Sequence, residues 1–153
     1  MITSVLLRLE GPLQSWGTRS RFSERDTETE PSKSGVLGLV GAALGMARDD
    51  RALLERLARA RMAVRVDREG SLLRDYHTVG GGRFRGRPHG VYEAKGTVLT
   101  MRYYLQGASF LVALGYEDVE LANRIDAALA APRWPLALGR RACAPSVPVR
   151  AGI

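Results

Sequence analysis

Tyr76, His77 and Lys95 are the side chains of this sequence best suited to breaking a phosphodiester without a metal. That chemistry needs a general base, a general acid and a cation over the charge that develops on phosphate. The three bracket a Gly- and Arg-rich stretch, residues 76–97. The plain alternative is that Tyr76-His77 anchors this stretch, or touches a nucleic acid without cutting it. Metal chemistry has little to work with. One Cys (Cys143) and two His (His77 and His89) cannot close a structural zinc site. The acids fall in no metal motif, and no cofactor is expected. Cys143 has no His motif beside it and reads as a packed small residue.

Holding an anion needs less than cleaving one. The 153 residues carry 23 Lys and Arg against 16 acids, a net +7. Only Lys33 and Lys95 are lysines. Arginine presents a planar fork that fits phosphate and stacks on bases. A GC-rich coding bias would also favour Arg over Lys, but it does not explain the excess of positive charge. A polyanionic partner follows, nucleic acid ahead of a membrane surface.

The charge is localised. Residues 71–107 hold Arg74, Arg83, Arg85, Arg87, Lys95 and Arg102 against Asp75 and Glu93, a net of +4. Residues 127–153 hold Arg133, Arg140, Arg141 and Arg150 with no acid, another +4. Two such segments flanking a sheet would form the walls of an anion groove. In the first, Tyr76, Phe84 and Tyr92 interleave with arginines, as in surfaces that stack unpaired bases while gripping phosphate. A solvated flexible loop would read the same way. The helix opening at Ser32-Lys33-Ser34-Gly35 is a second phosphate candidate. It lacks the glycine spacing of a Walker A loop, and a simple cap with a solvated Lys is the alternative.

These residues need elements to position them. Val5, Leu7 and Leu9 alternate with polar neighbours, which predicts a first strand ended by Gly11-Pro12. In the polar loop from Gln14 to Glu30 the charges cancel: Arg19, Arg21 and Arg25, with Lys33 just beyond, face Glu24, Asp26, Glu28 and Glu30. Ser32 or Ser34 caps a helix whose body, Val36 to Ala47, is apolar nearly all round and therefore buried. Its glycines leave flat patches that a strand could approach. Asp49-Asp50 caps a second helix bearing Leu53 and Leu57. Met62, Val64 and Val66 alternate as a second strand. Residues 76–97 are a mobile loop or a protruding hairpin. Val98 to Leu105 and Phe110 to Leu114 are strands. Leu121, Ile125 and Leu129 mark an amphipathic helix stopped by Pro132. Trp134, Leu136 and Leu138 predict a last strand, and Gly139 to Ile153 a basic, proline-rich tail. The order is strand, helix, strand, then strand, helix, strand, with one extra strand in the middle insert. This is the ferredoxin-like α+β plan. The lone cysteine, the absence of a signal-peptide pattern and a longest apolar stretch of 12 residues point to a cytoplasmic protein with no membrane span.

Several blocks together resemble one known family. They are Gly11-Pro12-Leu13-Gln14-Ser15-Trp16-Gly17, Ser20-Arg21-Phe22, Arg25-Asp26-Thr27 and Pro31-Ser32-Lys33-Ser34-Gly35-Val36-Leu37-Gly38-Leu39, followed by Asp75-Tyr76-His77-Thr78-Val79, Leu138-Gly139-Arg140-Arg141 and Pro145-Ser146-Val147-Pro148. The pattern is similar to the CasD family of type I-E CRISPR systems, across nearly the whole chain. The resemblance implies one ferredoxin-like (RRM-like) RAMP domain over residues 1–153, with residues 76–97 as part of a thumb hairpin. It implies a non-catalytic subunit that grips the 5′ handle of the guide RNA at one end of a Cascade complex. Its neighbours would be the backbone subunit and the large target-recognition subunit. A related branch, in type I-C systems, cuts RNA itself, which keeps Tyr76, His77 and Lys95 in view. On this reading phosphate contacts fall to Arg21, Lys33, Arg83, Arg85, Arg140 and Arg141. Base contacts fall to Gln14, Trp16, Tyr76 and His77, with Trp16 as a core anchor the alternative. Ser32 stands where the family usually has Thr, which keeps the hydroxyl. Family chains usually continue past the region matching Arg150 to Ile153, so this C-terminal region is short for the family.

Overall fold

Val5, Leu7 and Leu9 have no exposed surface, and their alternation places them on one face of strand β1 (Thr3–Glu10). The computed structural model describes residues 1–19, 23–80 and 97–153. In it β1 is an inner strand of an antiparallel sheet. Strand β4 (Arg61–Arg68), strand β7 (Ser109–Tyr116), β1 and strand β8 (Arg150–Gly152) lie in the order β4-β7-β1-β8. Register follows the apolar alternation: Val5 faces Leu114, Leu7 faces Val112 and Leu9 faces Phe110. A one-residue slip would turn this whole set to the other face.

The helices cover that apolar face. Helix α1 (Lys33–Leu44) buries Val36, Leu37, Leu39 and Val40. Helix α3 (Val119–Ala130) buries Leu121, Ile125 and Leu129, and its cap Asp118 accepts from Leu121 N at 2.9 Å. Helix α2 (Arg51–Ala58) is capped by Asp50 and turns Leu53 and Leu57 inward. Of the two serines that could cap α1, Ser32 does so, accepting from Gly35 N at 3.3 Å. Among the described residues no strand takes up the patches left by Gly38 and Gly41. Gly38 faces open space, and Gly41 meets Met46.

A second sheet grows beside the first. Strand β6 (Thr97–Gln106) is flanked on one side by β2 (Leu13–Gln14), antiparallel, and β3 (Glu24–Arg25), parallel. On its other side it pairs with strand β5 (Ser71–Gly80) along ten residues. The region read as starting at residue 76 is therefore already a strand from Ser71 to Gly80. Residues 81–96 lie outside the described residues.

The last strand is not where the sequence suggested. Trp134, Leu136 and Leu138 form no ladder, because Pro132 and Pro135 interrupt the donors a ladder needs. This segment closes α1 instead: Arg133 N and Trp134 N donate to Ala43 O and Ala42 O. The sheet edge is completed by Arg150–Gly152, which pairs with Leu6 and Leu7. Ser146 N donates to Glu10 O at 2.9 Å and Arg8 N to Val149 O at 2.7 Å, and these bonds steer the proline-rich tail to that edge.

Cys143 is buried in the same layer, and burial pushes its thiol pKa above the ordinary value. Its reactive thiolate is thus scarce and screened. Iodoacetamide is expected to label the native chain at least about tenfold more slowly than the urea-unfolded chain, followed by mass spectrometry. Equal rates would mean that this layer opens freely.

Candidate nucleic-acid interface

The residues between β1 and α1 are held by a buried polar node. Gln14 has no exposed surface. Its Nε2 donates to Leu9 O at 3.0 Å and to Ala108 O at 2.9 Å, and its Oε1 accepts from Trp16 Nε1 at 3.0 Å. Trp16 is 1% exposed. Its backbone N–H donates to Thr27 Oγ1 at 2.9 Å, and its carbonyl accepts from Glu28 N at 3.1 Å. The indole ring lies against the start of α1. A Cβ on Gly35 would stand 2.8 Å from its Cε3, so only glycine fits there without displacement. Gln14 and Trp16 are therefore internal supports, and their side chains are not placed as the expected base contacts. Their polar atoms are already used inside the chain.

The C-terminal block docks on this node. Ser15 N donates to Leu138 O at 3.0 Å. Gly139 follows at φ +89°, a conformation open to glycine, with Ser15 O where its Cβ would be. Arg140 then reaches across. Its Nη1 donates to Tyr103 O at 3.1 Å and its Nη2 to Asp26 O at 3.0 Å, while its guanidinium sits 4.9 Å above the Tyr104 ring. Arg140 is thus a clamp between the loop and β6, with part of its donor capacity spent internally.

These supports enclose a cleft of about 550 Å³. Its lining includes Ser15, Trp16, Gly17, Ser32, Ser34, Gly35 and Gly139, and its charged residues are Arg25, Arg102 and Arg140. Among the described residues no carboxylate lines it. Arg25 and Arg102 stand in register on the adjacent strands β3 and β6. Like charges placed opposite each other repel, and a bound anion would relieve that repulsion. Arg102 is oriented by a bond from its Nε to Thr100 Oγ1 at 3.1 Å. Among the described residues, nothing else takes up the guanidinium of either arginine. The two free N–H forks match phosphate geometry.

The predicted residues distribute unevenly around this cleft. Arg140 lines it, and Trp16 forms its floor. Lys33 points elsewhere: its Nζ donates to Ala58 O at 2.8 Å and ties α1 to the end of α2. Arg141 is exposed and does not line the cleft. Tyr76 and His77 are consecutive on β5 and so face opposite sides of the sheet. They cannot both be aimed at one phosphate from that strand. Arg21, Arg83, Arg85 and Lys95 lie outside the described residues. Sequence reasoning missed Arg25 as a candidate and counted Arg102 only within the basic segment 71–107. In the charge count Arg25 cancels, with Arg19, Arg21 and Lys33, against Glu24, Asp26, Glu28 and Glu30. Strand alternation was the available signal, since it turns residue 25 away from its two acidic neighbours.

A family model described as CRISPR-associated protein (Cas_Cas5) matches residues 4–152. The chain belongs to the Cas5 family. The "CRISPR system Cascade subunit CasD" of Escherichia coli (strain K12) is 40% identical over 156 residues, covering 94% of this chain and 67% of that protein. A solved chain titled "CRISPR RNA-guided surveillance complex" superposes with a TM-score of 0.83 at 43% identity, covering 99% of this chain and 64% of its own length. Another, titled "Crystal structure of Cas protein", gives a TM-score of 0.72 at 42% identity, covering 97% of this chain and 62% of its own. The chain thus spans slightly less than two thirds of these solved relatives. In this Cas5-family chain the blocks around Gln14–Gly17, Arg25–Thr27, Ser32–Gly35 and Gly139–Arg140, far apart in sequence, converge on one cleft.

Proposed function

We propose that this chain is a non-catalytic RNA-binding subunit of a type I-E Cascade complex that holds the 5′ handle of the guide RNA and caps one end of the assembly. The observation that carries the reading is the cleft: among the described residues it is lined by three arginines, with a repulsive Arg25–Arg102 pair, and by no carboxylate. A single-stranded handle is held through such phosphate contacts, with stacking added by aromatic side chains. The order β4-β7-β1-β8 supports a ferredoxin-like RAMP domain over residues 1–153, with residues 76–97 serving as its thumb. Similarity to CasD and to a surveillance-complex chain supports a place in a Cascade complex, where the backbone subunit and the large target-recognition subunit would be its neighbours in the cytoplasm. No helix among the described residues is long and apolar enough to cross a membrane. The opposite facing of Tyr76 and His77 on β5 weighs against the alternative of a metal-independent endoribonuclease.

The test mixes the full chain, in EDTA, with a labelled guide bearing the repeat-derived 5′ handle and, separately, with unprocessed repeat RNA. Handle-dependent binding without a cut is expected. The double variant Arg25→Ala, Arg102→Ala should bind at least about tenfold more weakly, since hydrogen bonds to charged groups are individually strong. It should also flatten the log–log salt dependence by about 0.7 for each lost phosphate contact. A discrete cut in the repeat would make the chain a processing enzyme. Unchanged affinity and slope in the double variant would remove the cleft from the RNA path.

A further inference from the structure

We infer that His77, oriented by Asp75, contacts the base of the nucleotide whose phosphate sits at Arg25 and Arg102. This rests on the RNA-binding reading and adds a base-selective contact to it. Strands β5 and β6 pair Asp75 with Arg102 and His77 with Thr100. Arg25 is in register with Arg102 on the other side. Directly paired residues share a face of a sheet. Arg25, Arg102, Asp75, Thr100 and His77 therefore stand together on one surface. His77 is displaced from the arginine row by two residues along the strand, about 7 Å. One nucleotide can reach from a phosphate seat to a base contact over that span.

The local bonding favours this division of roles. Asp75 lies directly across from Arg102, where an ion pair would be expected. Its Oδ2 lies instead 3.4 Å from His77 Nδ1, and Arg102 turns its Nε to Thr100. Arg102 is thereby left to an outside anion, while His77 is held by its carboxylate. With Nδ1 beside the Asp75 carboxylate, Nε2 is the ring nitrogen left to meet a base. The side chain is 39% exposed, open to solvent on the strand that borders the cleft arginines. An imidazole in that place can hydrogen-bond a base edge through Nε2. Asp75 is a positioning residue, because it acts through His77.

The experiment is an abasic scan. The full chain is titrated with handle RNAs that each lack one base, beside the intact RNA. Wild type should show one position whose base removal weakens binding about fivefold, the worth of a single hydrogen bond. His77→Ala should bind intact RNA about fivefold more weakly and lose sensitivity at that position alone, with its salt slope unchanged. Asp75→Ala should lose the same discrimination while keeping the slope. Arg102→Ala should weaken every RNA alike and lower the slope by about 0.7. If His77→Ala keeps the wild-type position profile, the base contact is wrong and RNA binding stands. If wild type binds none of these RNAs, the RNA reading fails and this inference falls with it.

Discussion

Gly139→Ala is expected to remove about 3 to 6 kcal/mol of stability and to abolish the cleft. At φ +89° an alanine is already strained. The larger problem is space. The new Cβ would stand 1.7 Å from Ser15 O and 2.7 Å from Ser15 C, and both are backbone atoms that no rotamer change can move. The two segments would have to separate. Doing so breaks the bond from Ser15 N to Leu138 O, and with it the docking that lets Arg140 reach Tyr103 O and Asp26 O. Each lost bond costs about 1 kcal/mol or more when its partner stays buried. Small domains are stable by only about 5 to 15 kcal/mol, so this one methyl group removes a large share. Urea unfolding measures it: the midpoint should fall by about 1 M or more at ordinary slopes. A midpoint within about 0.3 M of wild type would show that the Ser15–Gly139 contact yields easily.

Gln14→Leu should be nearly as damaging, although it keeps volume and adds apolar surface. Three buried groups lose their partner: the Leu9 carbonyl, the Ala108 carbonyl and the Trp16 indole N–H. An orphaned buried polar group costs about 1 to 3 kcal/mol, giving about 3 to 9 for the three, part of it offset by the added apolar burial. A double-mutant cycle isolates the indole part. In the Trp16→Phe background there is no N–H to orphan, so Gln14→Leu should cost about 1 to 3 kcal/mol less there than in wild type. Additive effects in that cycle would mean that the Gln14–Trp16 bond contributes nothing. If Gln14→Leu were neutral but weakened RNA binding, the side chain would be a ligand contact rather than a support.

Residue types and periods were enough for several features. Alternation in β1 marked Val5, Leu7 and Leu9 as core, because side chains in a strand alternate faces whatever surrounds them. The four-residue spacing of Leu121, Ile125 and Leu129 did the same for α3. Ser32 and Asp50 acted as caps, since the bond from a cap oxygen to a helix N–H is local. The two cationic segments were visible from charge counting, and Arg102 and Arg140, one from each, do meet in the cleft.

Other features depend on chain segments distant in sequence. Whether Arg140 is a free cation or a clamp depends on carbonyls 37 and 114 residues away, at Tyr103 and Asp26. Gln14 reads as a polar loop residue until Ala108, 94 positions later, supplies the carbonyl that pays for burying it. Lys33 heads the helix that borders the cleft, yet its amine is taken by the end of α2. The proline-rich tail has no strand pattern, and Arg150–Gly152 becomes one because the β1 edge offers unpaired groups. Sequence by itself determined the apolar faces, the helix starts and the basic character, because these follow from local periodicity and composition. Tertiary structure alone decided which cations, among the described residues, are left without an internal partner and which polar side chains hold the fold together, because hydrogen-bond partners are set by which distant segments are brought within about 3 Å.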